Sequence, residues 1–218
     1  MAGETGPLPE RRWPMATAVL AAVLLQVITP HRGRVPGWWL FPIAEVAVLA
    51  VLIIRDPGRI DRRSEFLRRV TFLLIGLMTL GVATSTVVLS YDILATVRGV
   101  NATALLGRGA AVWLTNVIVF SLWYWEVDRG GPAERAARSG IRASFAFPED
   151  TVPELVDESW IPEYPDYLYL SFTAATAFSP TDTLPIRRWA KMAMMVESAV
   201  SLVVAILVVA RAINILPG

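Results

Sequence analysis

The stretch 173-TAATAFSPTDTLP-185 lies just ahead of the last long apolar run of the chain. Ser179, Pro180, Thr181 and Asp182 form a dense polar knot at its centre, and Pro185 follows closely. Leading into it is 167-YLYLSFTAATAF-178, an apolar segment of twelve residues. A helix needs ~20 residues to cross a hydrocarbon core of ~30 Å, so this segment is too short to span one. A half-length apolar helix, a polar turn and a full-length apolar helix together read as a re-entrant or an interfacial element. Non-helical backbone at membrane depth persists only when buried in protein or lining water. A pore loop is one solution, a plain interfacial helix the other.

The rest of the chain shows that a membrane is the right setting. Of 218 residues, 55% are hydrophobic, and the mean hydropathy is +0.51, well outside the range of soluble domains. Five apolar runs are predicted to span: Met15–Pro30, Trp38–Ile54, Val70–Leu94, Gly109–Trp125 and Met192–Leu216. Arg11 and Arg12 precede the first run, and no small-residue cleavage site follows it, so it reads as a retained helix. The expected fold class is therefore all-α, a polytopic membrane bundle of five transmembrane helices with a re-entrant pore helix and loop before the last. The localisation expected is the plasma (inner) membrane of a bacterium; nineteen arginines against one lysine, with abundant Ala and Val, suggest a GC-rich genome. With no cysteine, disulfides and thiolate metal sites are excluded. Neither a cofactor nor a nucleic-acid partner is expected.

Five regions follow from these patterns. Residues 1–14 read as a short disordered arm, and 15–94 as a three-helix membrane region that includes the basic loop 55-RDPGRIDRRSEFLRR-69. That loop is expected to carry a short amphipathic helix from Asp61. Gly76, Gly81, Ala83 and Ser85 are small enough to let the third run pack inside the bundle. Residues 95–126 hold a polar loop to 108 and then an outer helix. Residues 127–166 form an extramembrane linker in which Pro148, Pro153, Pro162 and Pro165 oppose a long helix. Residues 167–218 hold the short helix, the polar loop and the last helix.

The ending "TAATAFSPTDTLPIRRWAKM" resembles the pore loop of the tetrameric potassium-channel superfamily, whose pattern is T-A-T-T-V-G-Y-G-D-x-x-P-x-x-x-W-G-R. Without a gap, Thr176 falls on the first threonine of the pattern's T-T pair, Asp182 on the aspartate, Pro185 on the proline, Trp189 on the tryptophan and Lys191 on the basic residue. A family of small bacterial membrane proteins has a similar ending. The resemblance is sharp over some twenty residues. It implies a homotetramer, an outer helix at Gly109–Trp125, an inner helix at Met192–Leu216 carrying Glu197 and Ser201, and a filter made by Thr176, Ala177, Phe178, Ser179, Pro180, Thr181 and Asp182. The departure lies at Ser179-Pro180-Thr181, where the family has Gly-Tyr-Gly. Glycine allows backbone angles that aim successive carbonyls at an ion, whereas proline fixes φ and has no N–H. Side-chain oxygens of Thr176, Ser179 and Thr181, with the charge of Asp182, would suit a partly hydrated cation. Cation conduction is implied; potassium selectivity is not.

Plainer roles stand beside these. Thr176 and Ser179 could cap helix ends, and Asp182 could clasp Arg187 or Arg188. Glu197, an ionisable group inside an apolar helix, is expected to face a cavity or a partner, or else to reach the interface. For Glu45 and Asn116, interhelical hydrogen bonding is the expectation. The cluster 122-LWYWEV-127 reads as an aromatic belt at the membrane surface. No enzyme is expected, since the only histidine, His31, lies in a loop with no paired serine. An aspartyl-type mechanism needs two carboxylates facing each other within the membrane; Asp92 and Glu197 are the pair to consider, and neither carries a supporting motif. With the N-terminus inside, fifteen basic residues fall on the inner side and five on the outer. That orientation brings the loop in from the cytoplasm, as in the glutamate-receptor branch of the superfamily. Three readings remain open: a tetrameric cation channel, a transporter with a broken-helix site at Ser179, Thr181 and Asp182, and a non-conducting membrane scaffold.

Overall fold

In a computed structural model of the chain, the described residues are 10–29, 36–58, 60, 64–95, 102–157, 160–176 and 182–215. Four long or medium helices come first: α1 (Trp13–Ile28), α2 (Leu40–Arg55), α3 (Glu65–Leu94) and α4 (Ala102–Val127). Short elements follow: α5 (Pro132–Ala136), the two-residue strand β1 (Phe145–Ala146) and α6 (Pro148–Thr151). Then come α7 (Tyr164–Thr176), β2 (Leu184–Pro185) and α8 (Arg188–Ile215). Three helices are long and apolar enough to cross a membrane, namely α3, α4 with its extension to Gly130, and α8. At 16 residues each, α1 and α2 measure ~24 Å.

Local chemistry sets the helix ends. Pro14 stands in the first turn of α1, where its missing N–H costs nothing. Ser64 caps α3 by accepting from the Leu67 N–H, and Glu65 places negative charge in the first turn. The basic loop therefore has no separate amphipathic helix over its described part; α3 runs unbroken for 30 residues from Glu65. At α7, Asp166 accepts from the N–H of Glu163 at 2.7 Å, a side-chain cap that fixes where the helix begins after the proline-rich linker. The outer helix also starts earlier than expected. Residues 102–108 are helical, because Ala102 to Gly107 contains no breaker strong enough to outweigh packing of Leu105 and Arg108.

Helix α4 is the centre of the bundle and packs against α1, α3, α7 and α8. It is buried over most of its length, whereas α8 leaves most of its apolar surface uncovered. Gly109 lies against Val208, and Tyr124 against Glu197, so α4 and α8 run antiparallel. Helix α7 fits beside both and runs in the same direction as α8. Ser171 meets Glu197, and Ser198 donates to the Ala174 carbonyl one turn further on. Of the two α3 glycines, Gly81 serves close approach and Gly76 does not: a Cβ at 81 would sit 3.3 Å from the Gln26 amide oxygen. Ala83 faces outward, since the face of a 3.6-residue helix that holds position 81 does not hold 83.

One end of the bundle is covered by a folded layer. Residues 10–12 pair with 58–60 through Arg12 N–H to Gly58 O and Ile60 N–H to Glu10 O. Arg12 also forms a buried ion pair with Asp56 at 2.6 Å. The last part of the expected disordered arm is thus ordered. Glu10 is the reason: it accepts from Trp125 Nε1 at 2.9 Å, from the Tyr164 N–H at 2.6 Å and from Arg135 at 3.3 Å. The linker closes over this end, with Asp128 accepting from the Ser144 N–H and from the Tyr167 hydroxyl. Strand β1 pairs antiparallel with β2, Phe145 opposite Pro185 and Ala146 opposite Leu184, which ties the linker to the start of α8. The expected aromatic belt at 122–127 is corrected here. Tyr124 and Trp125 are fully buried, in edge contacts with Phe145 and Tyr164, because the linker and α7 cover the helix face that would otherwise meet lipid.

Two measurements check this packing. A Cβ at Gly109 would meet the stiff Val208 side chain at 2.7 Å, so Gly109→Ala should destabilise the detergent-solubilised protein by about 1–3 kcal/mol. Val208→Ala in that background should recover part of the loss in thermal unfolding. At the covered end, burial holds the Glu10 carboxyl above its ordinary 4.5 in spite of Arg135 and the neighbouring donors. The folded state then binds that proton more readily than the unfolded state. Glu10's contribution is therefore greatest below 4.5 and is lost as pH rises through the folded value. Glu10→Gln should remove that slope from the stability–pH profile.

Candidate functional site

The polar loop and the helices that hold it make up the site. Of the predicted filter, Ala177, Phe178, Ser179, Pro180 and Thr181 lie outside the described residues, while Thr176 and Asp182 are described. Thr176 ends α7, and its hydroxyl donates back to the Thr173 carbonyl at 2.8 Å, as a helix-terminal threonine does. Asp182 is exposed and accepts from the Tyr169 hydroxyl at 3.4 Å, the long limit of a hydrogen bond. Among the described residues no ion pair joins it to Arg187 or Arg188. Arg187 turns instead to the Arg142 carbonyl, because the β1–β2 pairing draws it toward the linker.

The two ends of the loop are at different depths. Thr176 shares an apolar groove with Trp113, Val204 and Val208, about midway along α4. Phe172, one turn earlier, meets Trp113 edge-on with ring centroids 5.6 Å apart. Leu184 and Pro185 are back at the covered end beside Phe145. From the level of Trp113 to that of Asp128 is fifteen helical rises along α4, or ~22 Å.

Glu197 anchors this arrangement. It is completely buried on α8, nine residues into a helix that begins at Arg188, so it does not reach the interface. Its Oε2 accepts from the Tyr124 hydroxyl at 2.5 Å, and its Oε1 meets the Ser171 hydroxyl. Ser171 also lies 2.7 Å from the Val117 carbonyl. That hydroxyl has one hydrogen for two acceptors, so it is shared between them or the carboxyl supplies its own. One turn along α8, Ser201 accepts from Asn116 Nδ2 at 3.1 Å. The predicted residues Glu197 and Ser201 are thus brought together with Asn116, and three helices are joined by one buried polar network. A buried carboxyl away from water is stable only when so satisfied.

Other carboxyls occupy separate places. Glu45 is buried between helices and accepts from Gln26 Nε2 at 2.9 Å, next to Gly81. Asp92 pairs with Arg108 at 3.1 Å, at the end of the bundle opposite the linker. Arg108 and Tyr124 are sixteen residues apart on α4, ~24 Å of helix, so Asp92 and Glu197 do not face each other. No group of three His, Cys, Asp or Glu side chains suited to a metal occurs among the described residues.

Sequence reasoning passed over Tyr124 and Ser171. Tyr124 was hidden in an aromatic run, yet it is the one member whose hydroxyl can reach a buried acceptor. Ser171 belongs to a small-residue face with Ala174 and Ala175, a spacing that marks close helix contact.

No protein-family model matches the chain, and comparisons with curated proteins and with solved structures find no match either.

The network makes a quantitative expectation. Tyr124→Phe and Ser171→Ala each remove one hydroxyl from a buried carboxyl and should each cost about 1–3 kcal/mol in unfolding of the purified protein. Because both act on Glu197, the double variant should lose measurably less or more than the two losses added together, with a coupling of about 0.5–3 kcal/mol. Strict additivity would show that the carboxyl does not join them.

Proposed function

We propose that this chain is one subunit of a tetrameric, cation-conducting membrane channel whose filter carries Ser-Pro-Thr-Asp in place of Gly-Tyr-Gly-Asp. The observation that carries the reading is the position of α7. It enters between α4 and α8 from the covered end, stops halfway along α4 at Thr176, and the chain is back at that end by Leu184. Outer helix, half-helix, returning loop and inner helix are then supplied by α4, α7, residues 177–183 and α8. The ungapped correspondence from Thr176 to Lys191 supports the same assignment.

A pore loop lines nothing unless subunits surround it, and α8 offers the surface for that. Met195, Val196, Leu202, Val203, Ile206 and Val209 are exposed along it, while Glu197, Ser201, Val204 and Val208 face inward. In this reading α1 and α2 are two further, shorter spans, giving five in all. Of the fourteen described basic residues, all but Arg108 and Arg211 belong to the covered end, and we place that end in the cytoplasm of a bacterial plasma membrane.

The experiment is native mass measurement of the detergent-solubilised protein, followed by flux into vesicles. A tetramer that passes cations is expected. Asp182→Asn should lower cation flux, most clearly at low ionic strength, where four carboxylates concentrate cations without screening. Thr176→Ala should change the ratio of permeant ions more than the yield of folded protein. A stable monomer or dimer, or a silent tetramer, would remove the channel reading.

A further inference from the structure

A cleft of about 250 Å³ opens at the covered end between the start of α3 and the turn that follows α4. It is several times the ~30 Å³ share of one water. Ile60, Leu67, Trp125, Pro132 and Ala133 give it apolar walls. Most of its polar groups are already engaged. Arg12 and Asp56 pair with each other at 2.6 Å, and Glu65 pairs with Arg69.

Glu126 differs. It lines the cleft and is only 4% exposed, yet no hydrogen bond from a described residue reaches its carboxylate. Its salt-bridge partner is Arg68, whose Nε lies 3.8 Å away, beyond hydrogen-bond range. Arg68 is itself half-exposed, with its guanidinium over the Phe72 ring at 5.6 Å. Gly131 lies beside the carboxylate. Its φ of +96° favours glycine, and a Cβ there would come to 3.6 Å from Glu126 Oε1. The carboxylate therefore opens onto the cleft with lone pairs that take no donor from the described residues, and a group entering there can supply one.

From this we infer that the cleft is a binding site for a small organic cation of the alkylammonium class, with Glu126 as its counter-ion. An ammonium supplies the N–H donors that Glu126 lacks, and its alkyl part fits the apolar walls. A charge-assisted hydrogen bond in such a site is stronger than a neutral one. A bare metal ion fits poorly, since the single carboxylate of Glu126 falls far short of the ~6–8 oxygens that calcium takes. Arg68 is then the cation the ligand displaces.

The probe is butylammonium, tested on the full chain in neutral detergent against butanol and butyrate at matched ionic strength, read as the concentration-dependent shift in thermal unfolding. Butylammonium should give a saturable stabilisation, and the neutral and anionic analogues should not. Glu126→Gln should weaken the amine at least tenfold. Arg68→Gln should tighten it severalfold, because the competing guanidinium is gone. Equal shifts from the amine and the alcohol, or an unchanged response in Glu126→Gln, would overturn the assignment. If Glu126→Gln does not fold, Arg68→Gln decides: tightening sustains the site, and weakening or no change removes it.

Discussion

The structure depends on one buried carboxyl. Glu197 sits where α4, α7 and α8 meet, and it is stable there only because the Tyr124 and Ser171 hydroxyls reach it. The apolar contacts among these helices are non-directional and would tolerate sliding. The carboxyl does not, since a shift of α4 or α7 would cost it one of its two donors and a shift of α8 would cost it both. Asn116 to Ser201 repeats the constraint a turn further along the same helix pair. A short helix that cannot span on its own is thereby held at a fixed depth and rotation.

The covered end supplies a second set of fixed points. Glu10 draws the N-terminal segment onto Trp125, Arg135 and the first residue of α7. Asp128 holds Tyr167 from α7 and Ser144 from the linker. Both ends of the polar loop are positioned by such groups: α7 through Tyr164 and Tyr167, and residue 184 onward through β1. The loop is therefore carried on a frame of buried polar contacts, and its two described ends differ in depth by about half of α4.

The parts of the site legible in sequence were those with a local signal. The half-length of 167–178 against a membrane's thickness pointed to the short helix. Glu197 stood out because a carboxyl within an apolar run is costly unless partnered. The errors came where the determining partner is distant in sequence. Trp125 looked like an interfacial residue until Glu10, 115 positions earlier, was found to accept from it. Residues 10–12 read as a free arm, yet they pair with Gly58 and Ile60.

The sequence by itself determined that this is a mostly helical, apolar chain with a half-length helix and a polar stretch before its last long helix, and that no thiol chemistry is open to it. Periodicity, run length and composition are properties of neighbouring residues, so they survive without a structure. Only the tertiary structure decided which carboxyls are satisfied and by whom. Glu197 has two hydroxyls, Asp92 has an arginine at the far end of the bundle, and Glu126 has an open cleft. Those outcomes depend on helix rotation and depth, which are set by the summed packing of α4 with its neighbours rather than by any stretch of the chain alone.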